Sequence, residues 1–358
     1  MWSLKFLRLS TKQNKIRYNI MLSSLSRISL LTTLLLIILL SCVTQANAFT
    51  YHHTSRVTLQ QQSYSRDSTT AIAMSSSSTL TSAFSLHGKT ALITGSSGGI
   101  GKAIAKTFAE AGADVIVHYN TRREGAISTC KEINDNKDSP GKCLGIIHSD
   151  FRDPKQINEM FEYVTNNILN DNRLDILVNN AGIVSKLAVE DDDNLSTYHE
   201  TMAVNLHAPV QLMKLSHAHM KSTSSAKRKG GVIINNTSIH GSRSVEYMSA
   251  YAATKAALDS LTQSLACEFA PDGIRVNAIA PGVVPVERTE KAFNDQSVVD
   301  MWLPHLPIGR LGYVEDIAQA TLTLATNKWT TGTILTVDGG MIARSNMPFR
   351  PRPPKPGC

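Results

Sequence analysis

From residue 86 onward the chain alternates short apolar runs with segments of helical spacing, and this alternation narrows the fold more than any other feature. KTALITG (89–95), ADVIVHY (113–119), CLGIIHSD (143–150), LDILVNN (174–180), VIINNTS (232–238), IRVNAIA (274–280) and TILTVDG (333–339) read as strands. Between them, 99–112, 122–134, 154–169, 195–221, 249–270 and 314–326 read as helices. Strands that alternate with helices of this length build a parallel sheet, because each parallel pairing needs a long crossover. The strands are nearly continuous apolar runs, as burial on both faces requires. The expectation is an α/β fold: a doubly wound, mainly parallel seven-stranded sheet with helices on both faces. It forms a single domain over 86–342, followed by a basic, proline-rich tail over 343–358.

Charge excludes one class of function. The net charge of +7 suggests a polyanion partner until it is located. Residues 1–85 hold eight basic side chains and one acid, which leaves 28 of each sign in 86–358. The domain carries no electrostatic case for nucleic acid. The five cysteines form neither a C-x-x-C pair nor a zinc-spaced cluster, so no metal is expected. They read as free thiols of a reducing compartment.

The N-terminal 85 residues read as targeting sequence. ISLLTTLLLIILL (28–40) is uncharged, follows Arg27, and precedes the small-residue site Ala46-Asn47-Ala48. Its 13 residues are too few to span a bilayer, which takes about 20, and suit a signal peptide over 1–48. Residues 49–85 are rich in Ser and Thr with a single acid, as transit peptides are. The pair, with Phe49 at the junction, resembles the bipartite plastid presequences of diatoms and related algae. That implies a plastid location reached through the secretory route. Secretion or an endomembrane lumen is the alternative, and no stable membrane span is expected in the mature chain.

TGSSGGIG (94–101) joins the first strand to the first helix. Glycines at this junction let the backbone approach a pyrophosphate, and the helix N-terminus offers free N–H groups and a positive dipole end. A dinucleotide is the expected ligand. The second strand ends in HYNTRRE, with Arg122 and Arg123 just past Asn120 and no acid before Glu124. An acid there would hold a ribose 2′-hydroxyl, whereas arginine suits a 2′-phosphate. This favours NADP(H) over NAD(H).

YMSAYAATK (247–255) raises the matter of chemistry. Delivering hydride to a carbonyl requires a proton donor for the developing alkoxide. Tyrosine is a weak donor, with an ordinary pKa of about 10, and a neighbouring ammonium lowers it. Lys255 lies four residues after Tyr251 and shares its helix face. Tyr-x-x-x-Lys alone is a common accident. Tyr251 differs from Tyr247 in having both this lysine and a strand-end serine, Ser238, 13 residues earlier.

Together these motifs resemble the short-chain dehydrogenases/reductases. The spacing Thr94-Gly95, Gly99, Gly101 is theirs rather than G-x-G-x-x-G, and NNAG (179–182), PG (281–282) and DGG (338–340) follow in order. The resemblance implies a Rossmann-type fold and a catalytic set of Ser238, Tyr251, Lys255 and Asn205. Asn205 would hold a water for proton relay, and Lys255 would also bind the nicotinamide ribose. It further implies a cofactor site of Gly95, Ser97, Gly99, Ile100, Gly101, Asn120, Arg122, Asp150, Phe151, Asn180, Ala181, Gly182, Pro281, Gly282 and Val284, with Tyr251 and Lys255. His240 and Tyr247 would line the substrate pocket with Ser238 and Tyr251. Asp191–Asp193 reads as a solvated helix start.

The resulting expectation is an NAD(P)H-dependent oxidoreductase that interconverts a carbonyl and a secondary alcohol on a small-molecule substrate. One alternative is a 3-oxoacyl-[acyl-carrier-protein] reductase of plastid fatty-acid synthesis. IVSKLAVEDDD after NNAG departs from that relative, and PGVVPVE (281–287), which has no early threonine, departs from the family's usual pattern. Sugar and polyol dehydrogenases fit as well. The alternative of another class is a catalytically silent dinucleotide-binding sensor or scaffold. Relatives of this kind pair through the helix carrying Tyr251, implying a homodimer or homotetramer.

Overall fold

The structure is a computed structural model that describes residues 84–169, 173–222 and 230–344. These belong to one compact unit, Met74–Cys358. The signal-peptide segment, nearly all of the transit-like segment and most of the tail lie outside the described residues.

Seven strands form one sheet: β1 (Thr90–Ile93), β2 (Asp114–Tyr119), β3 (Cys143–His148), β4 (Ile176–Asn179), β5 (Gly231–Asn236), β6 (Ile274–Pro281) and β7 (Ile334–Val337). Their order is β3-β2-β1-β4-β5-β6-β7, and every pairing is parallel. The winding direction reverses between β1 and β4. In such sheets the crevice beyond the strand C-termini at that point is where ligands bind.

Alternation along each strand feeds two cores. Ala91 and Ile93 of β1 and Val115 and Val117 of β2 face one side. There they pack with Ile104 and Phe108 of α1 (Gly99–Glu110) and with Ile317 and Leu324 of α9 (Val314–Thr326). Leu92 and Ile116 face the other side. That side meets Ile157 and Met160 of α3 (Pro154–Tyr163), Leu212 and Met213 of α5 (Ala208–Ser222), and Leu258 of α6 (Ser249–Phe269). Full burial of such side chains contributes about 1.5–3 kcal/mol each, which locks strand register, since a one-residue slip would exchange the two faces.

α2 (Arg123–Asp135) covers β2 and β3. The segment expected as one helix over 195–221 is interrupted: α4 (Ser196–Met202) passes into α5 through a π-helical turn, Ala203–His207. The helix expected over 154–169 likewise ends in a π turn, Val164–Ile168. Asp192 accepts from the N–H groups of Thr197 and Tyr198 at 2.9 and 2.8 Å, so the acidic run caps α4. Two short helices not anticipated, α7 (Glu290–Phe293) and α8 (Gln296–Trp302), follow β6.

The cysteine expectation is overturned at two positions. Cys130 of α2 and Cys143, the first residue of β3, form a disulfide with Cα atoms 5.2 Å apart. α2 runs back along β3, and Asn134 fixes the junction by accepting from the Cys143 N–H at 2.8 Å. Cys267 is an exposed free thiol. Among the described residues, no helix is long and apolar enough to cross a membrane, and no cluster of His, Cys, Asp or Glu could hold a metal ion.

Candidate active site

The cradle begins where β1 turns into α1. Gly95 has φ +63° and Gly99 φ +54°, the left-handed region in which glycine is at ease. A Cβ at Gly95 would lie 2.8 Å from the Ala181 Cα, and one at Gly101 would lie 2.4 Å from the Gly95 carbonyl oxygen. β1, the loop and β4 therefore touch backbone to backbone. Gly98 at the N-cap has no side chain to cap α1, so its first N–H groups are left to partners outside the helix. Ser97 lies in the loop, and Ile100 packs on the core below. This glycine-walled crevice, a helix N-terminus with no N-cap side chain and Arg122 beside it, fits a dinucleotide pyrophosphate.

Asparagines and Thr94 tie the strand ends together. The Thr94 hydroxyl accepts from the N–H groups of Asn180 and Ala181 at 2.9 and 3.0 Å. The Asn180 amide donates to the carbonyls of Thr94 and Gly95, and accepts from the Asn236 amide at 2.8 Å. Asn236 is a member of this network that the sequence reading missed.

His118 is another. It stands at an inward position of β2, fully buried. Its Nδ1 accepts from the Gly95 N–H at 3.0 Å, its Nε2 donates to the Ser149 carbonyl at 3.1 Å, and its ring stacks on Phe151 at 4.5 Å. The Gly95 bond requires the neutral ring with its proton on Nε2. Burial pushes the imidazole down to about 4, against the Ser149 bond that raises it. A histidine inside an apolar strand was the signal available in the sequence.

The expected adenine-side residues diverge. Phe151 is buried behind His118, and the Asp150 carboxylate turns to Arg152, which donates to it from Nε at 3.0 Å. Arg152 holds that carboxyl below its usual range. Asn120 and Arg122 are exposed at the end of β2. Pro281 ends β6, Gly282 donates to the Val337 carbonyl at 2.9 Å, and Val284 packs under Gly312.

At the strand C-termini, Ser238, Tyr251, Lys255 and Asn205 come together. Ser238 follows β5 and caps a short helical turn through His240 N–H. Its side chain stands beside Tyr251 and favours the phenolate. Lys255 is buried and donates to the Asn236 carbonyl at 2.8 Å, with Nζ 5.6 Å from the centre of the Tyr251 ring. Asn205 lies in the π turn. Its side chain accepts from the Ile183 N–H at 2.9 Å and donates to the Ile183 carbonyl at 2.8 Å. A Cβ at Gly182 would come within 3.2 Å of the Asn205 oxygen and 3.8 Å of Lys255 Nζ. Gly182 thus keeps the floor between them open.

Burial raises the Tyr251 phenol, opposed by the Ser238 side chain and the charge of Arg288. The Lys255 ammonium is directed to Asn236 and is itself desolvated. Burial lowers Lys255 to about 8, and Asp259, one turn further along α6, opposes this. His240 stands edge-on to Tyr251, rings 6.1 Å apart, and its Nδ1 faces the Arg243 carbonyl. Tyr247 precedes α6 with φ +63° and lies largely in solvent. Its carbonyl accepts from the Leu187 N–H at 2.9 Å, which ties the two loops around the pocket mouth together.

Residues 95–342 match the family described as enoyl-(acyl carrier protein) reductase. The chain is 37% identical over 268 residues to 2-dehydro-3-deoxy-D-gluconate 5-dehydrogenase of Bacillus subtilis, covering 73% of this chain and 98% of that protein. It is 33% identical over 262 residues to a 3-oxoacyl-[acyl-carrier-protein] reductase of Thermotoga maritima, covering 72% and 99%. The crystal structure of a gluconate 5-dehydrogenase from Burkholderia cenocepacia, in complex with NADP and tartrate, is similar with a TM-score of 0.65 at 29% identity, over 74% of this chain and 100% of that one. A parallel sheet wound in this order, a glycine cradle at its switch point and relatives matched over nearly their whole lengths give one conclusion: the chain belongs to the short-chain dehydrogenase/reductase family and is an NAD(P)-dependent oxidoreductase acting on CH–OH groups.

Proposed function

We propose that this enzyme interconverts a ketone and a secondary alcohol of a polyhydroxy substrate, a sugar or sugar acid, using NADP(H) in preference to NAD(H). The observation that carries the chemistry is the convergence of Ser238 and Tyr251 on buried Lys255, whose Nζ is held at the end of β5 by the Asn236 carbonyl. A bound nicotinamide supplies the hydride exchange. Ser238 donates to the substrate oxygen as charge develops on it. Tyr251 gives that oxygen its proton in reduction and removes it in oxidation. Lys255 holds a positive charge under the site from its seat on Asn236. Asn205 keeps the Ile183 peptide in place with both ends of its amide and offers the turn from which a water relays protons.

The NADP(H) preference rests on Arg122 at the end of β2, with no acid at the ribose position. The polyhydroxy substrate rests on likeness to the two gluconate-type dehydrogenases. Reduction of 3-oxoacyl thioesters is a second reading, favoured by the Thermotoga relative. The test is to measure NADPH oxidation against keto-sugar acids, keto-sugars, acetoacetyl thioesters and simple ketones. Turnover of the thioester alone sinks the polyhydroxy reading.

We further infer a homodimer or homotetramer. The small exposed row Ala253, Ala256 and Ser260 on α6 supports close approach of a second copy. Light scattering that gives a monomer rejects it. The Ser/Thr-rich segment 49–85 supports plastid import, and a fluorescent fusion retained in the secretory lumen would argue against it.

A further inference from the structure

The glycine cradle is not open on all sides. Past β6, residues 283–289 cross above the head of α1. Gly99, the first residue of α1, donates its N–H to Glu287 Oε1 at 3.1 Å. Glu287 Oε2 lies 3.9 Å from Arg122 Nη1. A Cβ at Gly98 would fall 2.6 Å from that same Nη1 and 3.0 Å from Glu287 Oε1, and one at Gly99 would fall 3.1 Å from Val286 Cγ1. One carboxylate thus engages both features that make this crevice an anion site: the first free N–H of the helix and the arginine across from it. The segment is not slack. Thr289 donates its N–H to the Val286 carbonyl at 2.7 Å, its hydroxyl accepts from the Val286 N–H at 3.0 Å, and the Gly312 N–H reaches the Val283 carbonyl at 3.0 Å. Glu287 sits inside that tight turn, held over the cradle.

A carboxylate and a phosphate compete for the same donors. We propose that Glu287 sets dinucleotide affinity and NADP(H)-over-NAD(H) discrimination: it occupies the head of α1 and engages Arg122, and the cofactor must displace it from both. This rests on the reading of the cradle as an NADP(H) site. Both dinucleotides must free the helix N-terminus. NADP(H) alone also needs Arg122 for its 2′-phosphate, so it bears the larger cost of the Glu287 contact. The charge of Arg288, the neighbour of Glu287, acts on Tyr251, so displacing the turn also changes the field at the reacting phenol.

The test is direct binding, read from the fluorescence enhancement of NADPH and NADH and from calorimetry, with no substrate present. Glu287→Gln keeps the length and removes the charge; Glu287→Ala removes both. In each, the NADPH Kd is expected to fall by about threefold to tenfold, the range for a half-exposed charge at a helix end paired with an arginine. The NADH Kd falls less. Adding Arg122→Ala to Glu287→Ala reduces the gain for NADPH to that for NADH. The NADPH-induced rise in melting temperature grows in both single variants. Unchanged or weaker NADPH binding in folded Glu287 variants overturns the inference while leaving the cofactor reading standing, and an equal gain for both dinucleotides overturns its discrimination part. A wild-type chain that binds neither dinucleotide overturns the cofactor reading and this inference with it.

Discussion

Lys255 donates from Nζ to the main-chain carbonyl of Asn236 at 2.8 Å, joining the helix that carries Tyr251 to the end of the strand that carries Ser238. The ammonium is fully buried, and burial lowers it to about 8. Asp259, whose Oδ1 is buried without a hydrogen-bond partner, is the acid that raises it again. Below about pH 8 the lysine is charged and supports the site; above it the charge is lost. The pH profile of kcat for reduction should therefore fall on an alkaline limb near 8. Asp259→Asn removes the opposing charge and should move that limb to lower pH, with activity at pH 8 falling about twofold or more relative to pH 6.5. A limb that stays in place shows that Lys255 does not govern it.

Ser238 and Tyr251 have separate roles that mutation can separate. Tyr251→Phe removes the proton donor and leaves the ring packed beside His240. It should lower kcat by on the order of 10²–10⁴ while the NADPH Kd, measured by fluorescence, stays close to wild type. Ser238→Ala removes one donor to the developing oxyanion and should lower kcat by on the order of 10²–10³. A Tyr251→Phe enzyme with full turnover ends this mechanism.

The layers of this sheet follow from apolar runs that alternate with segments of helical spacing, a local pattern written in the sequence, whereas strand order is set between distant segments. Ala91 and Ile93 feed one core while Leu92 feeds the other. The glycine loop was legible for the same reason: the backbone constraint falls on consecutive residues. What stayed hidden depends on approach between distant segments. Glu287 is 188 residues from Gly99, and nothing in PGVVPVE announces where its carboxylate will rest. The π turn at Asn205 is a register fault in a helix whose composition looks continuous. Residue spacing places Lys255 near Tyr251 but cannot show that its ammonium is directed to the Asn236 carbonyl.

His118 links pH to the shape of the cradle. Its folded pKa of about 4 lies below the ordinary 6.5, so the unfolded chain binds the proton first as pH falls. The stability owed to the neutral ring is fully present above about 6.5 and is lost as pH drops toward 4. At 1.36 kcal/mol per unit this amounts to about 3 kcal/mol in all, of which about 2 is gone by pH 5. Urea unfolding at pH 7 and pH 5 should show that loss. His118→Gln should be less stable at pH 7 and should show a shallower pH dependence by about the same 2 kcal/mol, because it cannot take up the proton. Equal slopes for wild type and variant would reject the role given to His118.

The disulfide between Cys130 and Cys143 closes a loop of 13 residues between α2 and β3. Constraining a loop of this size in the unfolded chain stabilises the fold by about 3 kcal/mol on the chain-entropy account. The pair lies at the far end of α2 from Arg122, so the bond acts on stability rather than on the reacting groups. Reduction with a phosphine should lower the unfolding free energy by about 2–3 kcal/mol and leave kcat at 25 °C within about twofold. The double variant Cys130→Ser, Cys143→Ser should start at the lower stability and ignore the reductant, since Cys267, the remaining cysteine among the described residues, is a free thiol with no bond to lose. A wild-type protein whose unfolding midpoint is the same with and without reductant would show that the loop gains nothing from the bond, and that Asn134, bonded to both the N–H and the carbonyl of Cys143 at 2.8 and 3.3 Å, holds this junction by itself.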